Sequence, residues 1–245
     1  MLEVNNLVKN YGKKEAVKNI SFKVKPGEIY GFLGHNGAGK TTTIKTCTGL
    51  LKATSGDVKI CGYDIVNQPL EAKKNFGYVP ENPYLYNKLS GREFLNAISD
   101  LYEKKDSMDI SDKIESLLEE LQMSDDADKL IETYSQGMRR KITLCAALLH
   151  DPAVIFLDEP TNGFDASSAK AAKDLFRKVA DKGAAVVFTT HVLEIAEKLC
   201  DRIGIVYQGE IVAEGTVEEL KEKYKESGST LEDIFLSITD RRERN

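Results

Sequence analysis

The sequence holds only four cysteines, Cys47, Cys61, Cys145 and Cys200, and no two of them stand at C-x-x-C spacing. Metal or disulfide use is therefore not expected of them; buried thiols in a reducing compartment fit better. No apolar run approaches the ~20 residues needed to span a bilayer. The opening "MLEVNNLVKNYGKK" lacks the apolar core of a signal peptide. A cytosolic chain is expected, one still able to bind a membrane protein. Positive charge is not in excess: 34 Lys and Arg stand against 39 Asp and Glu, a net charge of −5. That excludes a general attraction to nucleic-acid phosphates, so a role on nucleic acid would need a local basic patch. Internal repeats and low-complexity tracts are missing too.

What is there suits a soluble globular protein: 245 residues, 41% hydrophobic and 30% charged. Three short apolar runs, "EIYGFLG" (28–34), "AVIFLD" (153–158) and "AAVVFTT" (184–190), are rich in β-branched or aromatic residues. They predict strands buried on both faces of a mostly parallel sheet. A helical pattern follows each, in "GKTTTIKTCTGLL", "SSAKAAKDLFRKVADKG" and "VLEIAEKLCD", which points to an α/β fold. Nearer the start, "LEVNNLVKNYG", "ISFKVKPGE" and "GDVKICGYDI" alternate between Gly and Pro breaks and predict a small antiparallel sheet.

From about residue 86 to 150 the pattern is mostly helical. Ser90 and Glu93 form a candidate capping box before "GREFLNAISDLYEKK". Ile110, Ile114, Leu117, Leu118 and Leu121 then recur at helical spacing. We read 1–245 as a single domain. Residues 1–85 and 151–220 form a catalytic α/β core with the β subdomain, 86–150 a helical insertion, and 221–245 a short helical tail whose "DRRERN" end is frayed.

Gly34, Gly39, Lys40 and Thr41 in "GHNGAGKTT" satisfy G-x-x-x-x-G-K-[ST]. In that pattern backbone amides surround phosphates, Lys40 neutralises the outer ones and Thr41 reaches Mg²⁺. Asp158 ends an apolar strand and is the candidate metal carboxylate. Glu159 beside it is placed to orient and deprotonate a water, which favours hydrolysis over phosphoryl transfer. His191 follows "FTT" at the carboxyl end of another strand, where ligands bind in such sheets, and is read as a γ-phosphate contact. His35, inside the loop, and His150 are read as structural rings. A second phosphate-binding composition occurs in "YSQGMRRK" (134–141), a helix start with a Ser, a Gly and three cations.

These segments, in this order, resemble an ATP-binding cassette nucleotide-binding domain over nearly the whole chain. The resemblance rests on "GHNGAGKTT" as Walker A, "YSQGM" as the signature, "AVIFLDEP" as Walker B, "NGFD" as the D-loop and "TTH" as the switch histidine loop. It implies an α/β P-loop hydrolase core with a mostly parallel sheet, an N-terminal antiparallel β subdomain and an inserted α-helical subdomain. ATP and Mg²⁺ are the implied cofactors. Tyr11 would stack on adenine, with Val17 beside it, and Gly34, His35, Asn36, Gly37, Ala38, Gly39, Lys40, Thr41 and Thr42 would wrap the phosphates. Thr41, Glu81 and Asp158 would hold Mg²⁺, and Glu159 and His191 would act in hydrolysis. Gln208 to Glu210 resembles the turn of a closing β-hairpin.

The resemblance also gives the second helix start a purpose. Two cassettes sandwich two ATPs head to tail, so Ser135, Gln136 and Gly137, with Asp165 of the D-loop, would serve the nucleotide of a neighbour. The implied partners are that second cassette, as a second copy or a paralogous chain, and an integral membrane permease contacted near Glu81 to Tyr86. No nucleic-acid partner is expected. The implied place is the cytoplasmic face of the cell membrane, held peripherally through the permease. Departures from the common pattern are Gln136 and Met138 in the signature, Glu81 where most relatives have Gln, and Phe164 and Ala166 in the D-loop. "YSQGM", the "PE" loop and "LEDIFLSIT" are similar to the exporter branch of drug, antibiotic, bacteriocin-protection and sodium cassettes. Two alternatives stay open at this point. One is a non-transport cassette working on ribosomes or nucleic acid; the other, a P-loop kinase, is disfavoured by the Asp158–Glu159 pair.

Overall fold

Strands with no polar face must be covered on both sides, and β-structure meets that need by alternation. The computed structural model describes residues 1–102, 107–224 and 230–243, with 107–109 and 240–243 given by backbone alone. The chain opens with β1 (Leu2–Tyr11), β2 (Lys14–Val24), β3 (Ile29–Leu33) and α1 (Lys40–Cys47). Next come β4 (Ser55–Ile60), β5 (Tyr63–Asp64), α2 (Pro69–Lys74) and β6 (Phe76–Val79). Three helices follow, α3 (Gly91–Asp100), α4 (Ser107–Glu120) and α5 (Gln136–Leu148), and then β7 (Val154–Asp158), α6 (Ala166–Asp181), β8 (Ala185–Thr190) and α7 (Leu193–Leu199). The hairpin β9 (Arg202–Tyr207) and β10 (Glu210–Gly215) leads to α8 (Val217–Lys223) and α9 (Leu231–Glu243). The expected fraying of "DRRERN" falls on a stretch whose side chains, and at 244–245 whose backbone, lie outside the described residues.

The core sheet has the order β10-β9-β3-β8-β7-β6, parallel except for the β9–β10 hairpin. The predicted strands β3, β7 and β8 form its centre, and every residue in them is buried. Alternation assigns each side chain to a face. Ile29, Leu33, Ile155, Leu157, Val186 and Phe188 join a core with α3 to α9. Tyr30, Phe32, Val154, Phe156, Ala185 and Val187 join a second core with α1 and the antiparallel strands. Each large buried side chain contributes about 1.5–3 kcal/mol, so both faces weigh heavily in holding the sheet. The antiparallel sheet, β2-β1-β4-β5, is built from the three alternating segments near the start.

The helical segment also follows its local signals. Ser90 accepts from Glu93 N while Glu93 accepts from Ser90 N, completing the capping box of α3. Ile114, Leu117 and Leu118 of α4, with Leu121 just after its end, are buried. One strand was not expected: residues 76–79, just before the Glu81 loop, are β6. The reason is long-range. A Cβ on Gly77 would meet Ala147 O at 2.2 Å, so α5 lies directly on this edge strand and only glycine admits it.

Candidate functional site

β3 delivers the chain into residues 34–39, and α1 begins immediately after. Two glycines there have no substitute. A Cβ on Gly34 would lie 2.5 Å from Val206 O; one on Gly39, where φ is +109°, would lie 2.6 Å from Ala16 O. No side chain caps α1, so its first N–H groups are left for a ligand at the positive end of the helix dipole. Lys40 is buried under the loop, its Nζ donating to Gly34 O at 2.5 Å and His35 O at 3.3 Å. The same Nζ is 3.5 Å from Glu159 Oε1.

Thr41 Oγ1 and Thr189 Oγ1 both donate to Asp158 Oδ1, at 3.0 and 2.7 Å. The other oxygen, Oδ2, is buried and meets no hydrogen-bond partner among the described residues. Burial pushes the Asp158 carboxyl above the usual range; the two hydroxyls oppose this, and Glu81 and Glu159 add to it. Glu159, next along, has φ +49°, a left-handed conformation costing ~1–3 kcal/mol in a non-glycine residue. Its N–H donates to Thr189 Oγ1 at 2.9 Å, which holds the turn. Glu159 Oε1 lies 3.0 Å from His191 Nδ1.

Lys40, Thr41, Glu81, Glu159 and His191 line one open cleft of about 680 Å³ at the carboxyl ends of the core strands. His35, Asn36, Gly37, Gly39 and Thr42 continue its wall, and Tyr11, half-exposed, stands at its mouth. Val17 does not line it. That side chain is fully buried in the antiparallel core, and its neighbours Ala16 and Lys18 face the cleft instead. Ala38 likewise points into the core. Asn162, Gln208 and Gly209 were not expected at the cleft. The β9–β10 turn brings the last two: Gly209 N donates to Ala38 O at 2.8 Å, and Lys18 N to Gly209 O at 2.7 Å. The resemblance to a closing hairpin had pointed at this turn without giving its contact. His150 is away from the cleft, stacked on Tyr102, with Nε2 3.0 Å from Phe76 O.

Ser135, Gln136 and Gly137 are separate from this cleft, and Ser135 and Gln136 are exposed. Ser135 Oγ accepts from Met138 N at 3.2 Å, capping α5. The three cations that follow do not face the helix start. Arg139 turns back to Ile131 O at 2.9 Å and Asn87 Oδ1 at 2.7 Å, Arg140 reaches Glu81 O, and Lys141 is buried. Arg139 and Arg140 fold back along the helix flanks to backbone and amide acceptors, as long side chains on a helix do. Asp165 accepts from Ser168 N at 2.7 Å at the start of α6, and these hydrogen bonds hold its carboxyl below the usual range.

A parallel sheet with a glycine-rich loop at its centre, a buried cation and two adjacent carboxylates at the strand ends define a P-loop nucleoside triphosphate hydrolase. The ABC transporter family matches residues 17–162. The chain is 40% identical over 220 residues to the linearmycin resistance ATP-binding protein LnrL of Bacillus subtilis (strain 168), covering 90% of this chain and 70% of that one. It is 34% identical over 235 residues to the daunorubicin resistance ATP-binding protein DrrA3 of Streptomyces coeruleorubidus, covering 96% and 73%. A solved ATP-binding subunit of an ABC transporter superposes with TM-score 0.92 at 30% identity, over 98% of this chain and 99% of that one. The chain belongs to the ABC transporter family, as an ATP-binding and ATP-hydrolysing subunit.

Proposed function

We propose that the chain powers a separate membrane permease, as an exporter subunit for antibiotics, other drugs, antimicrobial peptides or ions. The observation that carries this reading is the split between two phosphate-binding features. The cleft holds Lys40, Glu159 and His191, whereas the Ser135 helix start lies outside it and is open to solvent. A helix start that its own nucleotide does not reach is suited to the nucleotide of a second cassette, head to tail. The family and the resistance names of LnrL and DrrA3 support the exporter reading. The transport path would belong to a partner chain, with this one at the cytoplasmic face, as in the family; no helix among the described residues is long and apolar enough to cross a membrane.

For hydrolysis, Lys40 would hold the outer phosphates, and Glu159 would take the proton of an attacking water. His191, hydrogen-bonded to Glu159, would orient that carboxylate and meet the γ-phosphate. The residues fit a divalent cation: Asp158 Oδ2 is buried without a hydrogen-bond partner among the described residues, Thr41 bonds to the same carboxylate, and the donors with Glu81 are all oxygens, as Mg²⁺ prefers. When bound, Mg²⁺ would supply charge neutralisation at the phosphates. As functional units we take residues 1–85 with 151–220 for catalysis, 86–150 for signature and permease contact, and 221–245 as a tail.

The permease would meet the loop after β6. Tyr84 is fully exposed and Tyr86 largely so, and Tyr84 borders a groove of about 410 Å³ with Leu50, Pro83, Phe94 and Ile98. Purification from detergent-solubilised membranes tests the reading. A multi-span protein should co-elute at fixed stoichiometry and be lost from a Tyr84→Asp/Tyr86→Asp variant that still binds ATP. Co-sedimentation with ribosomes or RNA, with no membrane partner, would overturn it.

A further inference from the structure

Arg140 is the fifth residue of α5, yet it is only 4% exposed. Its guanidinium donates twice to one atom, the main-chain oxygen of Glu81, from Nε at 3.2 Å and Nη2 at 2.9 Å. The third group, Nη1, is buried and meets no acceptor among the described residues. A buried, unpartnered charged donor costs several kcal/mol, so the arrangement calls for an explanation. Beside Nη1 lies the turn that follows Glu159: a Cβ on Gly163 would come within 3.4 Å of Nη1. The same turn touches the helix start, since a Cβ on Gly137 would lie 3.3 Å from Gly163 O. One guanidinium thus stands between the loop after β6, the first turns of α5 and the turn carrying Asn162 and Gly163. Burial lowers the pKa of Arg140, and the Glu81 and Glu159 carboxylates counter that, so both carboxylates act on this cation.

We propose that Arg140 is a positioning residue for hydrolysis: it joins the Glu81 loop, the Ser135 helix start and the 162–163 turn into one unit, and Nη1 takes an acceptor on that turn when two cassettes close. Displacement of the exposed Tyr84–Tyr86 segment is then delivered to the partner-facing end of α5 and to the turn behind Glu159 together. The inference rests on the reading that Ser135 closes over the nucleotide of a second cassette. A planar fork with donors on two edges suits this bridge, and a single ammonium does not. Lysine can reach Glu81 O but has no second branch for the turn.

The test uses the full chain carrying Arg140→Lys or Arg140→Met. For Arg140→Lys we expect nucleotide affinity, read with a fluorescent ATP analogue, and KM to stay within about twofold, while kcat falls ~10-fold or more. In a Glu159→Gln background the ATP concentration that half-assembles the dimer should rise by a similar factor, and Arg140→Met should be worse. A purely structural role would instead lower thermal stability and affinity together and leave kcat per folded molecule unchanged; that result, or wild-type kcat and dimerisation, overturns the proposal. A second measurement needs no change at Arg140. In the Glu159→Gln protein, amide exchange at residues 80–86 and 134–138 should slow in parallel on adding ATP and Mg²⁺, and independent responses would refute the coupling. Ser135→Glu run alongside separates the two readings. If that variant still dimerises and hydrolyses, the closure reading itself fails; if it is blocked while Arg140→Lys behaves as wild type, only the role of Arg140 falls.

Discussion

His191 Nδ1 and Glu159 Oε1 stand 3.0 Å apart, in a pair formed by the ends of two neighbouring strands, β7 and β8. An ionised carboxylate can only accept, so the proton in this contact is carried by the imidazole. The contact fixes the orientation of the Glu159 carboxylate, as the proposed general base needs. Glu159→Gln keeps the shape and removes the basicity. ATP should still bind, hydrolysis should fall by ~10²-fold or more, and a dimer should accumulate with ATP and Mg²⁺. Size-exclusion chromatography showing only monomer, with hydrolysis unchanged, would remove Glu159 from that role.

Asp158 carries an opposing pair of demands. Burial raises its carboxyl, so its charged form weakens the fold. Asp158→Asn keeps an oxygen for the Thr41 and Thr189 hydroxyls and removes the charge. We expect the nucleotide-free, metal-free protein to melt ~2–4 °C higher, the displacement that ~1 kcal/mol produces at this chain length. Mg²⁺-dependent tightening of nucleotide binding should disappear in the same variant. A lower melting temperature by calorimetry would mean that the carboxylate stabilises the fold.

Glu81 is held through its main-chain oxygen by Arg140, and a change of side chain leaves that contact in place. Glu81→Gln still offers an oxygen to a divalent cation. ATPase activity should stay at about half or more of the wild-type rate, measured by phosphate release. Complete loss would assign the carboxylate a task that an amide cannot perform.

Ser135 both caps α5 and, in the proposed dimer, meets the γ-phosphate of the partner's ATP. Ser135→Glu sets a carboxylate against that phosphate, a repulsion of ~4 kcal/mol at ~4 Å and an effective dielectric of ~20. Hydrolysis should stop while single-chain ATP affinity stays within a few-fold. A capping role alone would cost ~1 kcal/mol of stability and leave hydrolysis running. Mixing this variant with Lys40→Ala creates one composite site with both lesions and one intact site. If the protein pairs with itself, neither variant should be active alone and the mixture should partly recover. Demonstrated mixed dimers without recovery would argue against contact across the interface.

Much of the fold was legible because its signals are local. The two-sided burial of β3, β7 and β8, the capping box at Ser90 and the helical spacing in α4 all depend on residues a few positions apart. The features that escaped depend on distant neighbours. β6 is four residues long, and its Gly77 is explained only by the carbonyl of Ala147, which α5 brings against it. Val17 was placed at the nucleotide by the resemblance alone, and the strand phase that buries it could not be checked from the sequence. The β1–β2 register shifts three times, and Asn6 and Asn19 adopt positive φ, which breaks strict alternation. The cleft was legible through its loop pattern and strand-end carboxylates. The partners of Arg139 and Arg140 were not, since a charged helix start reads the same in one dimension whether its side chains face a ligand or fold back onto carbonyls.

The core sheet divides the buried interior in two, with the phosphate loop's helix α1 in one half and the whole run from α3 to α9 in the other. An apolar truncation on the α3–α5 side, such as Leu95→Ala or Leu117→Ala, is therefore expected to loosen first the half that lacks α1. The six-stranded sheet is thus a partition between two separately packed interiors, one holding the helix of the phosphate loop and the other the helices of the insertion.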